Sequence, residues 1–145
     1  MSIWQSPRSI EDLNANRQGT LIGHLGISFT EIGADFIRGT MPVDTRTVQP
    51  YGLLHGGASV ALAETLGSMG AAMCVNAEEY QVVGQEINAN HVRAARSGLV
   101  TGTARAVHLG GRTHVWSIEI VNDAHKLVCI SRITMAVIRR GALTP

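Results

Sequence analysis

A chain of 145 residues with 45% hydrophobic content suits one folded domain around one core and argues against general disorder. Its net charge of +1 and sequence pI of about 7.9 leave no basic stripe of the kind that nucleic-acid binding requires. No run is apolar enough for a membrane span, and the opening MSIWQSPRSIEDLN lacks the apolar centre of a secretory leader, so a cytoplasmic protein is expected.

Ser9 is placed to cap a short helix over SIEDLNANRQG, with Ile10 and Leu13 as apolar anchors and Gly19 closing it. GISFTEIGADFIRGTMPV reads as two strands joined by a tight turn at Gly33-Ala34-Asp35. DTRTVQPYG is polar, carries Pro50 and reads as a loop. From about Gly56 to Val75 the pattern is helical, because strands of that length are rare and Ala, Leu and Met favour helix. Apolar residues fall on nearly every face, which predicts a helix surrounded by protein. Gly67 and Gly70 are unfavourable in a helix interior and predict the close approach of another backbone.

Four β-like runs follow: YQVVGQEINANHVR, GLVTGTARAVHLG, RTHVWSIEIVND and KLVCISRITMAVI. Trp116, Ile118 and Ile120 share one face, as do Leu127, Cys129, Ile133, Met135 and Val137, with Ser131 between them. Ser97-Gly98, Gly110-Gly111 and Asn122-Asp123 are hairpin-like breaks. The expected architecture is α+β, a single antiparallel sheet wrapped around one long helix. Cys74 and Cys129 have no C-x-x-C spacing and read as reduced packing thiols.

Glu64 is the only formally charged side chain between Arg46 and Glu78. An unpaired buried carboxylate costs several kcal/mol or takes up a proton, so such a residue reaches an edge, pairs with a distant Arg, or is functional. Ser68, at i+4, is on the same helical face and able to hold the carboxylate by a hydrogen bond, or to bond back to its own turn. His55-Gly56-Gly57 sits where the helix begins, where free backbone N–H groups and the helix dipole favour negative charge. Such a place can be a simple turn or can stabilise an oxyanion. Gly56 and Glu64 are eight residues apart, roughly 12 Å along the axis at 1.5 Å per residue. One reacting atom cannot sit beside both within one chain, so a shared site requires Glu64 from a second, antiparallel subunit. Two-fold pairing then creates two sites and makes the dimer obligate. The six His residues, at 24, 55, 91, 108, 114 and 125, show no zinc spacing, and no metal is expected.

QPYGLLHGGASVALAETLGS, with EINANHVRAARSG and HLGGRTHVWSIEI, resembles the hotdog-fold acyl-CoA thioesterases. The likeness is to the branch with a helix-borne Glu, whose members act on 4-hydroxybenzoyl-CoA, other aroyl-CoA thioesters and 1,4-dihydroxy-2-naphthoyl-CoA. It runs from about Leu13 to Val137. The resemblance implies one hotdog domain over residues 1–145 and dimers with a continuous sheet that pair into homotetramers. It implies Glu64 as the catalytic carboxylate and Gly56 as the N–H donor to the thioester carbonyl. It further implies His55 and Gln49 as polar groups at the reacting centre and Ser68 as the hydroxyl near the carboxylate. Val83, His91, Val92, Arg93 and Ala94, with His108, Leu109, Gly110, Gly111, Arg112 and Thr113, match positions that contact the CoA part. No cofactor is implied, because CoA belongs to the substrate.

Thioester hydrolysis needs carbonyl polarisation, an attacking oxygen and departure of a thiolate. Gly56 N–H suits the first, and ionised Glu64 suits the second, by direct attack or by activating water. Arg93, Arg96 and Arg112 are candidate phosphate partners. Tyr51, Leu53 and Met69 are candidates for the acyl pocket, or for core packing. Two other readings are a hotdog dehydratase using His55 and Glu64 on hydroxyacyl thioesters, and a non-catalytic acyl-CoA-binding module. Aromatic acyl-CoA is the expected substrate, with medium-chain acyl-CoA and acyl or aryl carrier proteins left open.

Overall fold

The computed structural model describes residues 1–142; residues 143–145 of the expected domain lie outside the described residues. Helix α1 spans Ile10–Ala15 and begins where the capping residue predicts. Ser9 Oγ accepts the Asp12 N–H at 3.1 Å and Asp12 Oδ2 accepts the Ser9 N–H at 3.4 Å, a capping box that satisfies two free donors. Leu13 is the buried anchor. The helix stops at Asn16 rather than at Gly19, which instead takes φ +74° in a turn. A one-turn helix, α2 (Leu21–His24), follows from its own cap, Thr20, and was not foreseen. Four residues are too few for the 3.6-residue period to show.

Strands β1 (Ser28–Ile32) and β2 (Phe36–Pro42) form the predicted hairpin, with Ile32 opposite Ile37 and the Gly33 N–H donating to the Phe36 carbonyl at 2.9 Å. Helix α3 runs Gly56–Met73 and is capped at Cys74, just short of the expected Val75. Strands β3 (Tyr80–His91), β4 (Leu99–Leu109), β5 (Thr113–Asn122) and β6 (Leu127–Arg139) complete a six-stranded antiparallel sheet in the order β1-β2-β4-β5-β6-β3. The turns at Gly110-Gly111 and Asn122-Asp123 are hairpins as expected. Ser97-Gly98 is not. Strand β3 pairs with β6 at the far edge while β4 lies between β2 and β5, so the connection crosses the sheet. Ser and Gly mark a bend in either case, and only non-local pairing separates hairpin from crossover.

One face of α3 packs against β2 to β6. Leu62, Leu66 and Met73 are buried there among Trp116, Ile118, Ile120, Cys129, Ile133 and Met135. The alternation expected of β5 and β6 is thus seen, with Ser131 buried and its hydroxyl donating to the Asn88 carbonyl at 2.7 Å. A Cβ on Gly67 would lie 2.6 Å from Ile133 Cγ2, and one on Gly70 would lie 2.8 Å from the Trp116 ring. The close approach is therefore made by sheet side chains, not by a second backbone. The opposite face of α3, with Ala61, Glu64, Ser68, Met69 and Ala72, is only half-buried. The expectation of a helix enclosed on every side does not hold within one protomer.

The N-terminal arm closes the end of the core. Trp4 stacks on Trp116 with centroids 6.1 Å apart, and its Nε1–H donates to the Gly33 carbonyl at 2.7 Å. The N–H groups of Gln5 and Ser6 both donate to the Met73 carbonyl. Cys74 and Cys129 are free and buried; burial pushes the Cys74 thiol up to about 11 and raises that of Cys129. Among the described residues no helix is long and apolar enough to cross a membrane.

Candidate active site

The loop before α3 is tied by one bridge between Val48 and Leu54, which sets Gln49 and His55 at the helix start. Gln49 Oε1 accepts the Tyr51 N–H, so its amide N–H2 faces away from that bond. His55 is the N-cap of α3, and its Nδ1 accepts the Gly57 N–H at 2.8 Å. That bond assigns the neutral ring proton to Nε2, which becomes a donor. The Ala58 and Ser59 N–H groups both donate to the His55 carbonyl. Gly56 N–H alone of the first turn has no partner among the described residues. It is a donor at the positive end of an 18-residue helix. His91, the last residue of β3, lies over it: a Cβ on Gly56 would be 2.7 Å from His91 Nε2.

Glu64 is two turns further along α3, on the half-buried face. Its carboxylate has no hydrogen bond or ion pair among the described residues, so the distant-Arg alternative is not realised, whereas the half-buried side chain does reach the sheet's β3 edge. It borders a small opening of about 120 Å³ lined by Gly84, Gln85, Glu86 and Ile87 of β3. Ser68 does not hold the carboxylate here; its hydroxyl points to Met135 Sδ at 3.7 Å. Sulfur from the sheet reaches the helix at this point and offers the hydroxyl an acceptor that helical spacing alone does not reveal.

Helix α3 and strand β3 run past each other in opposite senses, so Glu64 meets Gly84 while Gly56 meets His91. The expected CoA-contacting positions divide in the same way. His91, Val92, Arg93 and Ala94 are exposed beside Gly56, with the Arg93 Nε–H on the Leu127 carbonyl at 3.3 Å. His108, Leu109, Gly110, Gly111, Arg112 and Thr113 form the β4–β5 turn, which is level with Val83 because Ala136 pairs with both Val83 and Thr113. Eight residues of β3 separate Val83 from His91, roughly 25 Å along a strand. Within one protomer the two segments therefore stand toward opposite ends of β3. Arg93, Arg96 and Arg112 have no ion pair among the described residues. Tyr51 is 84% exposed and is not a packing residue, whereas Met69 packs partly against the core.

Two residues near the site carried no readable signal. Gly84 looks like any glycine in a strand. His114 is the second residue of β5 and is 3% exposed, with Nδ1 lacking a partner among the described residues and a cleft of about 300 Å³ beside it. Burial holds its imidazole below the ordinary value, His108 adds to that, and the Gly110 backbone opposes it. Among the described residues no three His, Cys, Asp or Glu side chains gather as a metal-ligand set.

The thioesterase superfamily profile matches residues 51–129, which include α3 and its N-terminal donor. A 1,4-dihydroxy-2-naphthoyl-CoA hydrolase of Escherichia coli is 52% identical over 136 residues, covering 94% of this chain and 99% of that protein. A proofreading thioesterase, EntH, of Cronobacter turicensis is 50% identical over 135 residues, covering 93% and 98%. The crystal structure of the Q49A mutant of a Pseudomonas aeruginosa thioesterase superposes with a TM-score of 0.94 at 50% identity, covering 95% of this chain and 99% of that one. The likeness covers more than nine-tenths of the chain in sequence and in structure rather than a motif, and the chain belongs to the thioesterase superfamily as a hotdog-fold thioester hydrolase.

Proposed function

We propose that the chain hydrolyses acyl-CoA thioesters, with aromatic acyl groups preferred, at a site shared between two copies. The observation that carries this reading is the pair of unpartnered groups on α3: a free Gly56 N–H at its start and a free Glu64 carboxylate beyond its reach. Each is what thioester hydrolysis needs, and neither has a partner among the described residues of its own protomer. Strand β3 supplies a way to join them. It is the longer of the sheet's two edge strands, twelve residues against five in β1, and Val83 on it is 37% exposed. A long free edge pairs readily with another strand. Two β3 edges meeting about a two-fold axis set the α3 helices antiparallel, with Glu64 of one copy toward Gly56 of the other.

In this arrangement the thioester carbonyl accepts the Gly56 N–H, and His55 Nε2–H and the Gln49 amide stand beside it. Glu64 of the second copy either attacks the carbonyl carbon, giving an anhydride that water then cleaves, or removes a proton from water as its oxygen attacks. Both routes place negative charge on the carbonyl oxygen, where one well-placed donor is worth about 10²–10³ in rate. Collapse expels CoA as a thiolate, a good leaving group that needs no separate acid. The aromatic preference is supported by the relative named for naphthoyl-CoA hydrolysis. The exposed His91–Ala94 segment and the β4–β5 turn are the positions proposed to meet CoA.

The test is free-thiol release from benzoyl-, 1,4-dihydroxy-2-naphthoyl- and hexanoyl-CoA by wild type and Glu64→Ala. Loss of a positioned base or nucleophile is expected to cost at least about 10²-fold while the dimer and melting curve persist. A Glu64→Ala enzyme as fast as wild type sinks the role of this residue. Faster release from hexanoyl-CoA than from either aromatic substrate sinks the acyl preference.

A further inference from the structure

The Glu64 carboxyl rests against one backbone position of β3, and that position is Gly84. A Cβ built there would stand 2.5 Å from Glu64 Oε1 and 3.7 Å from Glu64 Cδ, and beyond the adjoining residues no other described atom lies within 4 Å of it. Gly84 is not among the glycines with positive φ, so an L residue is compatible with its backbone. What excludes a side chain is the space that the carboxyl fills. The strand is also irregular here. Gly84 pairs with Met135 and Glu86 with Thr134, so Gln85 is an extra residue on β3 and the pairing register shifts beside Glu64. A β-bulge bends its strand and re-aims what lies next to it. Met135, the register partner of Gly84, also receives the Ser68 hydroxyl one turn beyond Glu64.

We propose that Gly84, with the bulge at Gln85, is a positioning residue for the thioesterase reaction: it sets the rotamer of Glu64 by keeping free the one place its carboxyl occupies. The inference rests on the reading of Glu64 as the catalytic carboxylate. A methyl group at residue 84 displaces the tip of a flexible side chain and little else. It therefore moves the carboxylate and leaves the fold in place. A misplacement of about 1 Å at a reacting group is enough to cost about 10²-fold in rate.

The experiment compares wild type, Gly84→Ala, Glu64→Asp, Glu64→Ala and the double variants Gly84→Ala/Glu64→Asp and Gly84→Ala/Glu64→Ala. The aroyl-CoA substrate used is the one that wild type turns over fastest. For Gly84→Ala, kcat is expected to fall by about 10²-fold with KM changed less than about threefold, since substrate binding groups are untouched. Asp is one methylene shorter and withdraws from the added methyl. Glu64→Asp should therefore cost less in the Gly84→Ala background than in wild type, a coupling that a general structural defect does not produce. The melting temperature reads the same contact without activity: Gly84→Ala/Glu64→Ala should melt close to Glu64→Ala, because the side chain that the new methyl meets within its own protomer is gone. That comparison also decides the case of a Gly84→Ala chain that fails to fold. Wild-type kcat in Gly84→Ala, additive losses in the Asp cycle, or an equal melting penalty with and without Glu64 would each overturn the proposal. A fully active Glu64→Ala enzyme would overturn the parent reading instead, and the melting comparison would still report on the contact.

Discussion

His55 commits its Nδ1 to the Gly57 N–H, and that one bond leaves Gly56 with the first free donor of α3. The spacing His-Gly-Gly announces a helix start, but which N–H stays free depends on the cap geometry. Glu64 is a similar case: a lone acid in an apolar run is visible in the sequence, while its contact with Gly84 is a tertiary fact that no spacing encodes. The same holds for Ser68, whose acceptor comes from Met135, 67 residues later. His114 leads to a prediction at this scale. Its folded-state proton affinity lies below the ordinary imidazole value, chiefly through burial. As pH falls through about 6.5 the unfolded chain binds the proton first, so unfolding takes up a proton and stability falls with pH. The wild-type melting temperature should drop between pH 7.5 and pH 5.5, and His114→Gln should drop by less. An identical drop in both proteins would remove His114 as a source of the pH dependence.

Among the elements, α3 was legible because eighteen residues of mostly Ala, Leu, Gly and Met suit no strand, and the β1–β2, β4–β5 and β5–β6 hairpins because their turns are local. The β3–β4 crossover was not, since its partner strand is chosen by pairing across the sheet. Nor was the half-covered face of α3: hydrophobic pattern reports that a surface is covered, not which chain covers it. The helix glycines separate propensity from packing. Replacing Gly70 by Ala in a helix favours stability by about 0.5–1 kcal/mol. A methyl at 2.8 Å from the Trp116 ring forces a buried aromatic to move, and overpacking of this kind costs about 1–3 kcal/mol. Gly70→Ala is therefore expected to lower the melting temperature despite its better helix propensity. A rise would mean that Trp116 can shift without loss.

At the scale of the whole molecule, the sequence already separates Gly56 from Glu64, and the structure separates the two expected CoA segments by the length of β3. The pairing proposed above, a two-fold axis at the β3 edge, would remove both separations in one operation. Subunit complementation tests it. Gly56→Pro removes the N–H at the first helical position, where Pro fits the backbone, although its ring presses on His91. Glu64→Ala removes the carboxylate. Mixed dimers of these two inactive chains contain one intact site when the site is shared, so random re-pairing of equal amounts should restore about a quarter of wild-type activity. No restoration, with mixed dimers shown to form, would place each site within one subunit.

The two tryptophans of the chain, Trp4 and Trp116, are the stacked pair at the end of the core. All of its indole emission therefore arises from a single spot, where the N-terminal arm closes over the sheet. Light at these wavelengths does not average over the molecule. It follows the contact between the arm and the core, because both rings belong to it. An unfolding curve recorded by intrinsic fluorescence is a record of this one place, the arm on Trp116 and Trp116 in the core, and it stands for the whole protein only where far-ultraviolet circular dichroism follows the same transition.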